Sequence, residues 1–197
     1  MNSTLENGGA AGENGWRRLY LVRHGAAAAK FDKDPDPGLS SLGHDQAAAM
    51  AADFRDHAPL PLFVSPLRRA AETAAALARV WQVEAVTEPA LAEVPAPVAG
   101  VRERGPWLEA FLGQNWAGQP AALHAWREAL RTRLLRAPAD CVMVSHFVPI
   151  NAAVGMATAD DRVTCFRPDT ASVTVLETDG RSLRLVALGR ELAGKVL

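Results

Sequence analysis

Cysteine is scarce in this chain, with only two among 197 residues. Cys141 and Cys165 have apolar neighbours and belong to no Cys-x-x-Cys pair, and no cluster of His and Cys has the spacing of a zinc site. We expect both to be reduced thiols in a cytoplasmic protein; a disulfide between them is the alternative. The sequence therefore argues against a disulfide-rich scaffold and a zinc-binding module.

An excess of one charge and a long apolar run are also missing. The 21 basic and 22 acidic residues leave a net charge of −1, so no general field attracts nucleic acid. No apolar run approaches the roughly 20 residues of a membrane span, so we expect no membrane partner. The sequence makes no prediction of oligomeric state.

The amino-terminal residues differ in composition from the rest of the chain. Residues 1–15 (MNSTLENGGAAGENG) lack the charged and apolar regions of a signal peptide. Their small, polar and glycine-rich composition predicts a disordered tail. Residues 16–197 have the length and composition of one α/β domain.

Strand-like and helix-like patterns alternate along this domain. Apolar runs predict strands at 19–22, 62–65, 83–86, 141–145, 172–177 and 183–188, and helical spacing occurs at 47–54, 67–81 and 123–134. The alternation predicts a three-layer α/β sandwich: a mostly parallel sheet with helices on both faces. Asp179-Gly180 predicts a carboxy-terminal hairpin. Segment 94–120 has weak periodicity and is expected to be an irregular excursion.

Charged side chains follow three of the predicted strands. Arg23 and His24 follow the first, Arg69 lies shortly after the second, and His146 follows the fourth. The carboxyl ends of parallel strands meet at one edge of a sheet, so these groups are expected to converge. Two arginines and two histidines at one edge suit a small dianion such as phosphate.

Two helix starts strengthen this prediction. Ser65 is expected to be an N-cap with Pro66 in the first turn, which would place Arg69 near the helix start and facing the strand ends. Pro149 lies early in the helix predicted after His146. The free N–H groups at that helix start would add donors for an anion.

Four motifs occur in the order of a known family: LVRHG at 21–25, SPLRRAAETA at 65–74, LAEVP at 91–95 and VSHFVPI at 144–150. With DPGLSSLGHDQA at 36–47, the chain resembles the histidine phosphatase superfamily, also called phosphoglycerate-mutase-like, over residues 17–190. The short excursion is similar to that of its small phosphatase branch. The resemblance implies the α/β fold described above.

The resemblance also implies roles for five residues. His24 would be the nucleophile that becomes phosphorylated, and Arg23, Arg69 and His146 would bind phosphoryl oxygens. Glu93 would be the proton donor to the leaving group. Guanidinium charges favour the neutral ring that His24 needs for attack. Two arginines, a protonated His146 and backbone donors would neutralise the transition state, so no metal or other cofactor is expected.

The chain departs from the family pattern at several positions. AAAAK follows Arg-His-Gly where the family often has Glu and then Asn, and Lys30 is either solvated or replaces the missing polar contact. Phe147 stands where many members have glycine, which predicts a narrower or more apolar mouth. Glu88 competes with Glu93 as the acid but lacks the motif context.

The leading prediction is a metal-independent phosphatase that hydrolyses a small-molecule or peptide phosphomonoester through a phosphohistidine at His24. Three alternatives stay open: a phosphoglycerate-mutase-type phosphotransferase, a protein phosphohistidine phosphatase, and a non-catalytic module that binds a phosphorylated ligand. Substrate contacts come from variable loops, so the motifs predict a reaction class and not a substrate.

Overall fold

Residues 15–30 and 32–192 are described by a computed structural model. The predicted tail at 1–15 lies outside this part of the chain except for Gly15. In chain order the elements are β1 (Arg17–Arg23), α1 (Ser41–Asp53), β2 (Leu62–Val64), α2 (Arg68–Trp81), β3 (Ala85–Thr87), α3 (Val101–Leu112), α4 (Ala121–Leu135), β4 (Cys141–Ser145), α5 (Phe147–Thr158), β5 (Val173–Thr178) and β6 (Leu183–Ala187).

The six strands form one sheet in the order β3-β2-β4-β1-β5-β6. Parallel pairing joins β1 to β4, β4 to β2 and β2 to β3. Because β5 is antiparallel to both β1 and β6, it alone runs against the other strands of this sheet. The predicted mostly parallel sheet is therefore confirmed, and so is the carboxy-terminal hairpin, where Gly180 adopts a φ of 90°.

Alternating side chains of the central strands build two apolar cores. Leu19, Leu21 and Met143 join the core that contains the buried faces of α3, α4 and α5. Tyr20 and Val22 point to the opposite face, where they join the buried residues of α1 and α2. The two-residue period of a strand places successive side chains on opposite faces, which explains the predicted three-layer arrangement.

The excursion at 94–120 is more regular than the sequence indicated. It contains the twelve-residue helix α3, with Pro106 inside it. Phe111 is the one residue of α3 that is buried, so no apolar stripe marks this helix in the sequence. The expectation of an irregular segment was wrong for 101–112.

The start of α2 also differs from the prediction. The helix begins at Arg68, and its N-cap is Leu67, which makes no side-chain capping bond. The Oδ1 of Asp36 accepts a hydrogen bond from the Arg68 N–H at 2.8 Å, so a loop residue caps this helix from 32 positions away. Ser65 is therefore not the N-cap.

Across residues 15–30 and 32–192, no helix has both the length and the apolar character needed to cross a membrane.

Candidate active site

The end of β1 is fixed in the middle of the sheet. The His24 N–H donates to the Ser145 carbonyl at 3.0 Å, which ties the chain after β1 to the last residue of β4. Gly25 follows, and a Cβ there would lie 2.5 Å from the Gly43 carbonyl oxygen of α1. Only glycine permits this close approach, which explains the glycine that directly follows His24.

The imidazole of His24 has a partner at each ring nitrogen. Nδ1 lies 2.7 Å from the Gly25 carbonyl oxygen, and the Nε–H of Arg69 lies 3.1 Å from Nε2. A carbonyl oxygen only accepts and a guanidinium only donates. His24 therefore carries its proton on Nδ1 and keeps the lone pair of Nε2, the atom that would attack phosphorus.

The surroundings of His24 favour its neutral form. The side chain is buried, and this burial is the largest cause of a pKa held well below the ordinary histidine value. The charges of Arg69 and Arg23 lower the pKa further, while the bond to the Gly25 carbonyl opposes the shift. An uncharged His24 ring at neutral pH follows from this environment.

Arg69 is the second residue of α2 and is only 4% exposed. Thr73, one turn later, receives a hydrogen bond from the Gly25 N–H at 3.0 Å and donates to the Arg69 carbonyl at 2.7 Å. Its hydroxyl thus joins the loop after β1 to the start of α2. Asp36 lies 3.9 Å from Nη1 of Arg69, with no direct hydrogen bond between them.

Arg23 lies on another side of the site. Its Nη1 donates to the Pro168 carbonyl at 2.7 Å, and its guanidinium lies 5.2 Å from the centre of the Phe147 ring. Phe147 is almost fully buried, so this ring supports the arginine and is not an open apolar wall. The carbonyl and the aromatic face leave other guanidinium donors for a ligand.

His146 joins β4 to α5 and lies beside His24. The ring centres of His146 and His24 are 5.0 Å apart, and His146 is fully buried. Its Nε2 is 2.7 Å from Oγ of Ser65. Burial first, then His24, Arg69 and Arg23, lower its pKa well below the ordinary value. The sequence led us to expect a protonated His146, whereas this environment favours the neutral ring.

The structure separates the two candidate acids. Glu88 is the N-cap of the 3-10 turn Pro89–Leu91, and its carboxylate pairs with Nε of Arg133 at 2.7 Å. Glu93 accepts from the Val94 N–H at 2.9 Å. Loss of hydration raises the Glu93 pKa, while the N–H groups of Val94 and Val148 and the charges of both site arginines oppose the rise.

These interactions give the two glutamates different chemistry. Val148 belongs to the first turn of α5, so Glu93 lies at the helix start that His146 precedes. A carboxyl with a raised pKa beside the site suits a proton donor, whereas Glu88 has a structural partner in Arg133.

The remaining predictions concern Lys30 and metals. Lys30 is exposed, and its carbonyl accepts from the N–H groups of Lys33 and Asp34. Within the described ranges, no three side chains of His, Cys, Asp or Glu converge as metal ligands would.

Three residues near the site were missed as site components by sequence reasoning. Thr73 carried a recognisable signal, because it lies four positions after Arg69 and so shares its helix face. Asp36 and the hydroxyl of Ser65 carried no such signal, because their partners are distant in the sequence. Asp36 contacts α2, and Ser65 contacts a histidine 81 positions away.

Comparisons with known proteins give the family of this chain. Residues 19–191 match the family model described as histidine phosphatase superfamily (branch 1). A glucosyl-3-phosphoglycerate phosphatase from Mycolicibacterium vanbaalenii is 42% identical over 65 residues, which are 31% of this chain and 29% of that protein. The chain thus spans less than a third of that relative in the alignment.

Two solved structures extend the similarity in fold. A mycobacterial glucosyl-3-phosphoglycerate phosphatase has a TM-score of 0.70 at 22% identity, with 89% of this chain and 100% of that one covered. A phosphoserine phosphatase from Entamoeba histolytica has a TM-score of 0.69 at 20% identity, with 88% and 96% covered. With the family model matched across nearly the whole domain, the chain belongs to the histidine phosphatase superfamily, branch 1.

Proposed function

We propose that this protein is a phosphomonoester hydrolase that acts through a phosphohistidine on His24 and requires no metal. The observation that carries the proposal is the pair of contacts from which the tautomer of His24 is assigned. Its Nδ1 is held by the Gly25 carbonyl and its Nε2 lone pair is held by Arg69, inside a buried site with two guanidinium groups. A neutral, oriented ring nitrogen beside fixed cations is what nucleophilic attack on a phosphoryl group requires.

The first step transfers the phosphoryl group to the enzyme. Nε2 of His24 attacks phosphorus, the P–Nε2 bond forms, and the bond from phosphorus to the leaving oxygen breaks. Glu93 gives its proton to that oxygen. The Nδ1 proton stays on the ring, where the Gly25 carbonyl stabilises the charge that develops.

The second step releases phosphate. Water attacks phosphorus as Glu93, now a carboxylate, takes the proton from the water. The P–Nε2 bond breaks, and His24 regains its lone pair. Arg23 and Arg69 neutralise the equatorial oxygens in both steps, because an arginine keeps its charge in a buried site.

A small phosphomonoester is the proposed substrate class, and the similarity to a glucosyl-3-phosphoglycerate phosphatase makes a glycosylated phosphoglycerate a rational first compound to assay. The free thiols of Cys141 and Cys165 suit a reducing compartment, and we place the protein in the cytoplasm on that basis.

A labelling experiment tests the covalent mechanism. Brief incubation with a phosphomonoester labelled in its phosphate, followed by an alkaline quench, should leave acid-labile label on the peptide that contains His24. The His24→Ala variant should carry none and should release no phosphate. Label on Ser65, or turnover without any labelled enzyme, would refute the mechanism.

The same assay separates the alternatives. A phosphotransferase of the mutase type would return the label to a second position of the substrate faster than it releases phosphate. A binding module would retain phosphorylated ligand without turnover. A phosphohistidine phosphatase would release phosphate from a phosphohistidine peptide faster than from small phosphomonoesters.

A further inference from the structure

The two ring nitrogens of His146 have unequal surroundings. Nε2 is 2.7 Å from Oγ of Ser65, whereas Nδ1 is buried and has no hydrogen-bond partner among the described residues. Both side chains are fully shielded from water, with exposures of 0%. Which of the two groups donates in the Ser65–His146 bond decides whether Nδ1 carries a proton.

The other contacts of Ser65 indicate that its hydroxyl is the donor. Its oxygen already accepts from the Leu67 N–H at 3.3 Å, and its single proton has no other acceptor among the described residues than Nε2 of His146. If His146 donated instead, a buried O–H would be left without an acceptor, at a cost of about 1–3 kcal/mol.

The start of α5 supports the same assignment. His146 is the N-cap of α5, yet its side chain makes no capping bond. The third helical position is Pro149, which has no N–H to donate to Nδ1, and the N–H of Val148 at the second position is directed to Glu93. A lone pair on Nδ1 would therefore have no donor at this helix start, whereas a proton on Nδ1 could be given to a ligand.

We propose that Ser65 is a positioning residue that fixes His146 as the Nδ1–H tautomer, so that a neutral His146 donates a hydrogen bond to a phosphoryl oxygen. The proposal rests on the function proposed above for the identity of the ligand. In this proposal Ser65, from the motif at 65–74, orients His146, from the motif at 144–150.

A neutral donor is consistent with the charges at the site. Arg23 and Arg69 already supply two positive charges against a phosphate dianion. A third charge on a ring buried beside them is opposed by burial, by His24 and by both guanidinium groups, the causes that lower the His146 pKa. With Ser65 as its partner, a neutral His146 provides an oriented hydrogen-bond donor at Nδ1.

The unliganded protein provides the first test and needs no variant except for assignment. In protein labelled with ¹⁵N-histidine, long-range ¹⁵N–¹H correlation spectra at neutral pH distinguish a protonated ring nitrogen from an unprotonated one. The resonances of His146 are identified as those present in the wild-type spectrum and absent from the spectrum of His146→Gln. We expect Nδ1 to be protonated and Nε2 unprotonated; a protonated Nε2 overturns the proposal.

Titration with inorganic phosphate tests the donor role. Phosphate should shift the Nδ1 resonance of His146 while Nε2 stays unprotonated. Protonation of both nitrogens in the phosphate complex would overturn the neutral donor, as would an unchanged Nδ1 resonance when phosphate saturates the site.

Variants of Ser65 link the tautomer to catalysis. Ser65→Ala should leave His146 a mixture of tautomers and lower kcat/KM about 5- to 30-fold, the loss of one hydrogen bond of roughly 1–2 kcal/mol. Ser65→Thr keeps the hydroxyl, so we expect it to retain the single tautomer of His146 and a kcat/KM near the wild-type value. A loss of activity in Ser65→Ala with the tautomer unchanged would show a merely structural role.

Ser172→Ala is the matched control. This serine is also buried, and its Oγ has no hydrogen-bond partner among the described residues, so we expect an unchanged His146 tautomer. Failure of the proposed function gives a different result: the wild-type protein would bind phosphate with the expected tautomer and yet release none from any phosphomonoester.

Discussion

Arg69 donates through Nε to Nε2 of His24 at 3.1 Å, so the guanidinium holds the ring atom that would attack phosphorus. Nη1 of the same guanidinium is buried and has no hydrogen bond among the described residues. In the proposed reaction the Nε–H has to leave Nε2 before that atom attacks phosphorus, and Nη1 is a further donor for the phosphoryl oxygens.

This relationship predicts different outcomes for two substitutions of Arg69. Arg69→Ala removes a charge that lowers the His24 pKa, so that pKa should rise, and kcat/KM should fall about 10²- to 10³-fold. Arg69→Lys keeps the charge but loses the planar donor, so the activity should fall while the His24 pKa stays near its wild-type value. NMR titration of His24 and steady-state kinetics check both.

Arg68 provides the matched control for Arg69. It precedes Arg69 on α2, but its side chain is exposed and pairs with Glu72 across one helical turn. Arg68→Ala should change kcat/KM by less than about threefold, since such exposed pairs contribute only about 0.3–0.5 kcal/mol. Equal losses in Arg68→Ala and Arg69→Ala would contradict the assignment of Arg69 to the phosphate site.

The two buried histidines predict how the free energy of unfolding depends on pH. Both have a folded-state pKa lowered well below the ordinary value. Below about pH 6.5 the unfolded chain binds protons at His24 and His146 that the folded protein does not. Stability should therefore be full above that pH and should fall as the pH decreases, by up to about 1.4 kcal/mol per pH unit for each ring.

Urea unfolding between pH 8 and pH 5 measures this slope. His24→Gln removes one of the two rings, so its free energy of unfolding should lose about half of the wild-type dependence on pH in this range. Identical slopes in the wild-type protein and His24→Gln would show that the His24 ring does not contribute to the pH dependence.

The sequence was a good guide to the sheet, because its buried strands are short continuous apolar runs. β4 is predicted with its observed bounds, Cys141–Ser145, since five apolar or small residues are buried together there. Helix α3 was missed because Phe111 alone is buried in it. An amphipathic pattern is visible only where a helix buries a continuous face.

The part of the site formed by His24 and His146 was predictable from the order of the strands. His24 and His146 each follow a buried strand, so topology alone brings them to one sheet edge. Ser65 was interpreted through its local neighbours as a helix cap, yet its hydroxyl contacts His146. Asp36 had no local pattern, although it caps α2. Long-range partners of single polar side chains are not encoded in sequence spacing.

Asp36 predicts a charge effect on phosphate affinity. Its Oδ1 caps α2 through the Arg68 N–H and also lies 3.9 Å from Nη1 of Arg69. Asp36→Asn can keep the cap but removes a negative charge that competes with phosphate for Arg69. Competitive inhibition by phosphate should strengthen about fivefold at low salt, and less as salt is added.

Asp53→Asn controls for net charge. Asp53 is exposed and is the last residue of α1, whereas the contact of this helix with the site is made near its start, where Gly43 packs against Gly25. Asp53→Asn should leave the inhibition constant for phosphate unchanged. Weaker phosphate inhibition in Asp36→Asn would show that the carboxylate orients Arg69 and does not compete with the ligand.

The proposed chemistry also predicts independence from metals. The positive charges at the site come from Arg23 and Arg69, so phosphatase activity should persist after dialysis against excess chelator. Phosphate release before and after this treatment is the measurement. A loss of activity that one added divalent cation restores would contradict the proposed mechanism.

Glu93 predicts a dependence on the leaving group. An alkoxide needs a proton as it departs, whereas a nitrophenolate needs little help. Glu93→Gln keeps the shape of the side chain and removes the acid, so phosphoenzyme formation from an alkyl phosphate should slow about 10²- to 10⁴-fold. The rate from nitrophenyl phosphate should fall much less. Single-turnover measurements with both substrates on both proteins give the comparison.

The pH dependence of the same step gives a second readout. Burial raises the Glu93 pKa, so the wild-type rate with an alkyl phosphate should fall on the alkaline side as Glu93 loses its proton. The Glu93→Gln profile should lack this limb. On the acid side, both proteins should stay active below about pH 6.5, because the pKa of His24 is lowered in the folded protein.

Glu88→Gln separates the acid from its neighbour in sequence. Glu88 pairs with Arg133, so its substitution should lower stability and leave the difference between alkyl and nitrophenyl substrates at its wild-type value. Equal losses on both substrates in Glu93→Gln would assign Glu93 to structure or binding, because a proton donor acts only where the leaving oxygen needs a proton. A selective loss on alkyl phosphates in Glu88→Gln alone would move the acid to Glu88, against its pairing with Arg133.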